Sequence, residues 1–173
     1  SSDVCSSDLF TASGKFGNGV SFNGSSQYVA LTNDLISNLG DFTIAAWVYR
    51  ATAGQLFTLT RYDNSQGAEA TADYFGTNNV TANGQVTFSC ATKGNTNNYL
   101  LFHSTETMTA AAWNFIAASV YINGASSTGQ LFLNGAICTF NDASAATKPT
   151  SWATNNATSY RTTRIISFAG TST

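Results

Sequence analysis

Five Asn-Gly pairs divide this 173-residue chain, and they constrain its fold more than any other feature. They stand at Asn18-Gly19, Asn23-Gly24, Asn83-Gly84, Asn123-Gly124 and Asn134-Gly135. Asn-Gly favours tight turns with positive φ, and between apolar runs it is a strong hairpin signal. The pairs therefore predict a chain that doubles back repeatedly between short antiparallel strands.

The apolar runs between these turns are short, and several of them alternate with period two. Val86, Phe88 and Cys90 share one face of their run, whereas Thr87 and Ser89 share the other. Such alternation is typical of β-strands, and no segment carries a sustained helical stripe. We predict strands at 19–22, 27–31, 42–50, 55–61, 73–77, 85–92, 99–104, 113–122, 129–133, 136–140 and 163–169, with one helical turn at 33–39.

The run at 42–50 carries bulky apolar side chains on both of its faces. Phe42, Ile44 and Val48 share one face, and Trp47 and Tyr49 share the other. Strands that are covered on both faces have this pattern. The run therefore predicts a central strand that is buried on both sides.

Charged residues make up only 9% of the chain, against about 25% in typical domains. The surface must therefore consist largely of Ser, Thr, Asn and Gly. With a net charge of −2 and no basic patch, we expect no nucleic-acid binding through phosphate contacts. No apolar run approaches the roughly 20 residues of a transmembrane helix, so no membrane insertion is expected.

Three blocks of sequence carry a family likeness. They are GNGVSFNG at 17–24 with QYV at 27–29, GDFTIAAWV at 40–48, and WNFIAA at 113–118 with GQLFLNG at 129–135. In their order and spacing they resemble the LamG-like jelly-roll family of concanavalin A-like lectin/glucanase domains. The resemblance implies an all-β fold, an antiparallel β-sandwich of the concanavalin/LamG-like jelly-roll type. It also implies that Trp47 and Trp113 are core residues.

Both ends of the chain depart from this pattern. Residues 1–9 match the translation of a common sequencing adapter, so we expect an artefact there and a single domain over residues 10–173. Family members usually close with a further strand, whereas this sequence ends at Gly170-Thr171-Ser172-Thr173. We expect a truncated domain that lacks its closing C-terminal strand. A missing strand would leave a sheet edge open, and self-assembly through that edge is the alternative.

The carboxylates predict a protein that is not an enzyme. Concanavalin-type glycosidases often carry E-x-D-x-x-E on one strand, which puts an acid and a nucleophile on the same face. The glutamates here, Glu69 and Glu106, have no carboxylate two residues away. The single histidine, His103, follows an apolar run without a serine elbow or a local acid, and we interpret it as a strand-end residue.

Carbohydrate binding would need aromatic platforms beside amide and hydroxyl groups in loops. The candidate ligand-binding residues are Tyr62, Asn97, Tyr99, Trp152, Asn155 and Tyr160. Trp152 lies in a Thr/Asn-rich segment without strand alternation. Its indole could stack on a sugar ring, or it could equally close the end of the sandwich.

Calcium is the one cofactor that the sequence suggests, because Ca²⁺ prefers six to eight hard oxygen ligands. The candidate ligands are Asp63, Asp73 and Asp142, and Asx turns are the alternative role for each. Cys90 and Cys138 lie in strand-like segments. They could form a disulfide or remain buried free thiols.

These observations predict a non-catalytic extracellular recognition module that binds carbohydrate or a cell-surface or matrix ligand. Its partner would be a glycan or an extracellular protein, and the protein would be secreted or surface-displayed. The alternative is a structural β-sandwich subunit of a phage or viral particle, a filament or a surface assembly.

Overall fold

The computed structural model describes residues 10–22, 27–31, 39–50, 55–63, 68–77, 84–91, 99–150 and 161–169. The strands are β1 (Phe10–Gly14), β2 (Gly17–Val20), β3 (Tyr28–Leu31), β4 (Asp41–Arg50), β5 (Gln55–Asp63), β6 (Ala68–Thr77), β7 (Gln85–Ala91), β8 (Tyr99–Thr107), β9 (Ala112–Tyr121), β10 (Thr128–Leu133), β11 (Ala136–Ile137), β12 (Phe140–Asp142) and β13 (Arg161–Ala169). All of their pairings are antiparallel, which confirms the all-β prediction. In this part of the chain, no helix has the length and apolar character needed to cross a membrane.

The larger sheet has seven strands in the order β12-β8-β7-β6-β5-β13-β3. Strands β5 to β8 follow one another as hairpins, so each pairs with its neighbour in the chain. Strand β13 lies between β5 and β3, with Ile165 opposite Leu59 on one side and Val29 on the other. The last strand that the structure describes is therefore an interior strand.

The second sheet has four strands in the order β11-β10-β9-β4, and β1 and β2 form a separate two-stranded sheet. Strand β4 pairs with β9 along its whole length, from Asp41 opposite Tyr121 to Arg50 opposite Ala112. The prediction of a central strand here is wrong, because β4 is an edge strand among the described residues. Its neighbour β9 is the strand that is paired on both sides.

The two sheets pack face to face, and their inner faces form the core. The buried apolar residues of this core are Val48, Phe75, Val86, Phe88, Cys90, Leu100, Phe102, Met108, Ile116, Ala118, Val120, Ile122, Leu131 and Cys138. The predicted inward face of Val86, Phe88 and Cys90 is confirmed. Gly129 lets the sheets approach closely, since a Cβ there would lie 3.0 Å from a ring carbon of Phe102.

Three of the Asn-Gly pairs lie wholly within the described residues, and they play different roles. Asn123-Gly124 lies in the connection between β9 and β10, where Gly124 begins a 3-10 helix (Gly124–Ser126). Asn134 and Gly135 form the two-residue turn between β10 and β11, with φ values of 52° and 86°. Positive φ at both positions is the type I′ geometry that Asn-Gly favours, so this prediction is confirmed. Asn18-Gly19 instead lies within β2, and the β1–β2 turn is made by Lys15 and Phe16.

Other differences between prediction and structure concern boundaries. Strand β1 was not predicted, because its sequence FTASG does not alternate strongly between apolar and polar residues. The run predicted at 136–140 is divided between β11 and β12. Residues 1–9 and 33–38 lie outside the described residues, so the adapter-like segment and the helical turn stay predictions.

Candidate functional site

The outer face of the four-stranded sheet, which is turned away from the core, carries several exposed rings. On β4 the outward residues are Asp41, Thr43, Ala45, Trp47 and Tyr49, and all five are exposed. The register with β9 places Phe115 beside Trp47, and Trp113 beside Tyr49. One row of β4 thus changes from polar at its start to aromatic at its end.

The family resemblance implied that Trp47 and Trp113 are core residues, and this is wrong. Trp47 is 40% exposed, and Trp113 is half-buried on the same outer face. The physical reason is the period-two alternation of a strand: Phe42 and Val48 face the core, so Trp47 must face away from it. The alternation was visible in the sequence, but the bulk of both indoles suggested burial.

Four rings on this face form an aromatic row, which we define as Trp47, Tyr49, Trp113 and Phe115. The centroids of Trp47 and Phe115 are 5.4 Å apart, and those of Tyr49 and Trp113 are 5.6 Å apart. These distances are within the range of favourable aromatic pairs. Because each pair joins β4 to β9, the rings are fixed by two hydrogen-bonded strands.

The β1–β2 hairpin approaches the aromatic row with the tip of its turn. Phe16 is 76% exposed, and it meets Trp47 edge to face at a centroid distance of 5.6 Å. The Lys15 Nζ lies 5.0 Å from the Trp47 ring centroid, which is a cation–π distance. One side of the row therefore has a positive charge and a further exposed ring.

The other end of the outer face is a polar groove, which we define as Asp41, Thr43, Ser119, Tyr121 and Gln130. The cavity at this end of the sheet has a volume of about 790 Å³, and its lining also includes Phe42, Val120, Thr128, Gly129 and Phe140. Phe42 and Val120 have inward-facing side chains, and Phe140 belongs to the seven-stranded sheet, so only part of this volume lies over the outer face. The Thr43 hydroxyl donates to Ser119 Oγ at 3.3 Å, and Asn123 Nδ2 donates to the Tyr121 hydroxyl at 2.8 Å. The groove thus combines hydroxyl, amide and carboxylate groups.

The polar groove and the aromatic row lie on one continuous surface. Thr43 and Trp47 are four residues apart on β4, which corresponds to about 13 Å along a strand. Ala45 and Ala117 lie opposite each other between Thr43 and Trp47, and their small side chains project little from the sheet. A ligand with apolar faces and many hydroxyl groups could contact both parts at once.

A buried amide network lies behind the aromatic row. Asn114 is fully buried between Trp113 and Phe115, and its Oδ1 accepts from Thr109 N–H at 3.0 Å. Its Nδ2 donates to the carbonyls of Thr109 and Ala112 at 2.9 and 3.0 Å. These bonds fix the start of β9 and hence the position of both outward rings. Sequence reasoning did not identify Asn114.

Two of the six predicted glycan-binding residues lie in the described part of the chain. Tyr62 is in β5, and Tyr99 begins β8, where it is half-buried. In the seven-stranded sheet β6 and β7 separate these strands, so the two residues are about 14 Å apart across the sheet. Asn97, Trp152, Asn155 and Tyr160 lie outside the described residues.

The structure does not bring the three candidate calcium ligands together. Asp142 ends β12, whereas Asp73 and Asp63 lie in β6 and β5, which are three and four strand positions away. Asp142 Oδ2 pairs with Lys148 Nζ at 2.8 Å, and its Oδ1 accepts from Ser144 N–H at 3.0 Å. The Lys148 and Ser144 contacts lower the pKa of Asp142 even though burial opposes them. The described residues contain no cluster of three metal-ligating side chains.

Cys90 and Cys138 are both buried free thiols, so the predicted disulfide alternative is wrong. Cys90 lies opposite Leu100 of β8. Thr139, which follows Cys138, accepts a hydrogen bond from Thr105 N–H, and Thr105 is also in β8. Five residues of strand separate these positions by roughly 17 Å, and a disulfide requires Cα atoms within about 7 Å.

Glu106 is held by the backbone beside Cys138. Its Oε1 accepts from Thr139 N–H at 3.1 Å, and this bond is the main reason that its pKa is lowered. Burial, together with the Glu106 charge, raises the pKa of Cys138 to about 11. The pair therefore consists of an ionised carboxylate and a protonated thiol. Cys138 is therefore not a thiolate nucleophile at neutral pH.

His103 is an interior residue of β8 rather than a strand-end residue, because β8 continues to Thr107. It lies opposite Thr87 of β7 and Asn141 of β12. It is buried, and within the described residues its Nδ1 has no hydrogen-bond partner. No described carboxylate is placed to orient the ring as a catalytic base would require.

Comparison with known proteins gives one match. A family model described as the concanavalin A-like lectin/glucanases superfamily matches residues 23–164. This stretch includes β3 to β12 and the first residues of β13, but not the β1–β2 hairpin. Neither the curated proteins nor the solved structures that were searched include a match to the chain.

Proposed function

The chain belongs to the concanavalin A-like lectin/glucanases superfamily, and we propose that it is a non-catalytic module that binds carbohydrate. The observation that carries this proposal is the outer face of the four-stranded sheet, where the polar groove continues into the aromatic row. A pyranose ring has apolar faces and a rim of hydroxyl groups. Rings and hydrogen-bonding side chains on one rigid surface match both features.

The aromatic row supplies the apolar contact. Trp47 and Tyr49 are 40% and 47% exposed, so part of each ring is free to contact a ligand. Their positions are set by β4 and β9 rather than by a loop, which lowers the entropy lost on binding. The polar groove supplies the hydrogen bonds, through Thr43, Ser119 and the Gln130 amide.

The arrangement of carboxylates favours binding over hydrolysis. A glycosidase needs two carboxyl groups about 5–9.5 Å apart, one as acid and one as base or nucleophile. Asp41 is the one carboxylate among the described residues that line the groove. Glu106 and Asp142 are engaged with Thr139 and Lys148 in the other sheet.

The cellular location of the protein and its partner are part of the same proposal. We place it outside the cell, secreted or displayed on a surface, with a glycan or an extracellular protein as its partner. The residues that the sequence suggests, Tyr62, Asn97, Tyr99, Trp152, Asn155 and Tyr160, stay a second, competing set of candidates for the same ligand class. A calcium requirement also stays a prediction. The three candidate aspartates lie in different strands, so they would not bind one ion together.

A glycan array tests the function, and two tryptophan variants test the surface. The wild-type chain should bind at least one soluble polysaccharide. Trp47→Ala should then weaken binding by about tenfold or more, which corresponds to about 1.4 kcal/mol. Trp152→Ala is the matched control, because it removes the same type of side chain from the competing set of candidates. Titration calorimetry with the polysaccharide selected on the array measures both affinities.

The outcomes separate the alternatives. Loss of binding in Trp152→Ala alone would favour the competing set of candidates over the outer face. A wild-type chain that binds no glycan would contradict the carbohydrate proposal. Repeating the titration with a chelator measures the calcium requirement, and unchanged affinity would remove calcium from the account.

A further inference from the structure

The structure describes both residues of three Asn-Gly pairs, and each pair carries a reactivity as well as a turn preference. The pairs are Asn18-Gly19, Asn123-Gly124 and Asn134-Gly135. The Asn side chain is thermolabile, because the backbone nitrogen of the next residue can attack its amide carbon. A following glycine leaves that nitrogen unshielded, since it has no Cβ. Whether a pair reacts then depends on how firmly the fold holds the amide and the backbone beside it.

The Asn134 amide is held by hydrogen bonds to β9. Its Oδ1 accepts from Phe115 N–H at 2.8 Å, and its Nδ2 donates to Asn114 Oδ1 at 3.3 Å. The backbone N–H of Asn134 also donates to Phe115 C=O at 2.8 Å. Attack by the Gly135 nitrogen would break both side-chain bonds and distort a turn between paired strands. The fold therefore protects this pair.

The Asn123-Gly124 pair is also held on both sides of the reacting bond. Asn123 Nδ2 donates to the Tyr121 hydroxyl at 2.8 Å. The nitrogen that would attack, the backbone N of Gly124, donates its proton to Pro149 C=O at 2.8 Å. Because this nitrogen must lose its proton and turn toward the Asn123 amide, both hydrogen bonds oppose the reaction.

Asn18 differs from the other two asparagines. It is exposed on β2, and in the described part of the chain its amide has no hydrogen-bond partner. Strands β1 and β2 form a two-stranded sheet, and such a hairpin is only marginally stable by itself. Segments of low local stability open readily. The Gly19 nitrogen can therefore reach the Asn18 amide at a lower cost in free energy than its counterparts in the other pairs.

We propose that Asn18 is a site of spontaneous deamidation, and that it reacts fastest of the three pairs. The Gly19 nitrogen loses its proton and bonds to Asn18 Cγ, while the Cγ–Nδ2 bond breaks and the amide nitrogen leaves as ammonia with that proton. Water then opens the resulting succinimide ring at either carbonyl, which gives aspartate or isoaspartate. Each event replaces a neutral amide with a carboxylate, and isoaspartate also adds one carbon to the backbone.

The modified hairpin lies against the aromatic row. Its tip places Lys15 Nζ 5.0 Å from the Trp47 ring centroid, and a Cβ added at Gly19 would lie 4.0 Å from a ring carbon of Trp113. Deamidation therefore adds a negative charge to the element that supplies the positive charge beside Trp47. The reaction itself does not depend on carbohydrate binding, so the two proposals can fail separately.

Tandem mass spectrometry of the aged protein tests the proposal, because it locates each conversion of amide to acid. The full chain is incubated at mildly alkaline pH, and a second sample is kept unfolded in guanidinium chloride. In the unfolded chain the three pairs should react at similar rates. Folding should slow Asn123 and Asn134 by about tenfold or more, which is about 1.4 kcal/mol of activation free energy, and should slow Asn18 much less. If folding slows Asn18 as much as Asn134, or if no conversion occurs at Asn18, the proposal is wrong.

Two variants give the matched controls. Asn18→Gln keeps an amide but would need a larger ring, so it should abolish the reaction at this position and leave Asn123 and Asn134 unchanged. Tyr121→Phe removes the acceptor of the Asn123 Nδ2 bond and should raise the rate at Asn123 without changing the rate at Asn18. An unchanged rate at Asn123 in Tyr121→Phe would contradict the ranking by held amides.

Discussion

Strands β4 and β9 have two faces of similar apolar character but opposite surroundings. The inner face carries Ile116 and Val120, which are buried against the seven-stranded sheet. The outer face of the same strands carries Trp47 and Tyr49, which are 40% and 47% exposed. The tryptophans of these two strands thus lie on the outer face, which no sheet covers in the described part of the chain. Residue type alone would have assigned them to the core, whereas period-two alternation assigns them to the surface.

This difference gives the two faces different roles. The inner face contributes to stability, because the removal of its side chains from water is the main favourable term in folding. The outer rings keep part of their area in contact with solvent, so they contribute less to stability and remain available to a ligand. Substitutions on the two faces should therefore differ in their effect on the free energy of unfolding.

The largest expected effect is the contrast between a core ring and an outer ring. Phe88→Ala should lower the free energy of unfolding by about 3–5 kcal/mol, because Phe88 is fully buried. Trp47→Ala should lower it by only about 1 kcal/mol, as expected of a partly exposed aromatic contact. Urea denaturation measures both values. Equal losses would show that the outer ring is part of the core.

Asn114 is a buried polar residue on the inner face, and its substitution should have the next largest effect on the free energy of unfolding. Asn114→Leu should cost about 2–3 kcal/mol, because the buried Thr109 and Ala112 backbone groups lose their partner. Asn123→Ala serves as the control, since its side chain makes a single exposed bond to Tyr121. Thermal unfolding should separate the two variants clearly. A stable Asn114→Leu protein would show that the amide network does not fix β9.

Substitutions at Gly135, in the turn between β10 and β11, should change the free energy of unfolding through backbone strain alone. Gly135 has a φ of 86°, and a Cβ added there would have no neighbour within 4 Å. Gly135→Ala should therefore cost about 1–2 kcal/mol, the price of left-handed backbone for an ordinary residue. Gly135→Asn should recover much of that loss, because Asn tolerates this region. Equal losses in both variants would contradict the type I′ assignment.

The smallest expected effect concerns the buried thiol between β11 and β12. Because the pKa of Cys138 is raised to about 11 from 9.0, the folded protein keeps a proton that the unfolded chain releases. Its contribution to stability is therefore present below pH 9 and is lost as the pH rises toward 11. Cys138→Ala should make the stability less dependent on pH in this window. Native Cys138 should also react slowly with iodoacetamide at pH 8.

Much of the fold could be predicted from the sequence, because local signals agree with it. Alternation placed Val86, Phe88 and Cys90 on an inner face, and Asn134-Gly135 encoded its own turn geometry. The prediction of a turn at Asn18-Gly19 is wrong. This pair lies within β2, and the turn before it is determined by Gly17 and its neighbours. Strand β1 has too few apolar residues to give a local signal.

The candidate site was harder to predict, because it depends on which strands become neighbours. The aromatic row joins β4 to β9, which are more than sixty positions apart in the sequence. Trp47 alone gives no indication that Phe115 will lie beside it. The separation of Cys90 from Cys138, and of Asp142 from Asp63, likewise follows from strand order rather than from sequence spacing.

Oxidative footprinting with mass spectrometry tests the central claim most directly, namely that the outer face of the four-stranded sheet is the recognition surface. In the folded protein, hydroxyl radicals should modify Trp47, Tyr49 and Phe16 and leave Phe88 and Phe102 unmodified. Adding the polysaccharide selected on the array should then protect Trp47 and Tyr49. If Trp47 is unmodified in the free protein, or is modified equally with and without the ligand, the account of this surface is wrong.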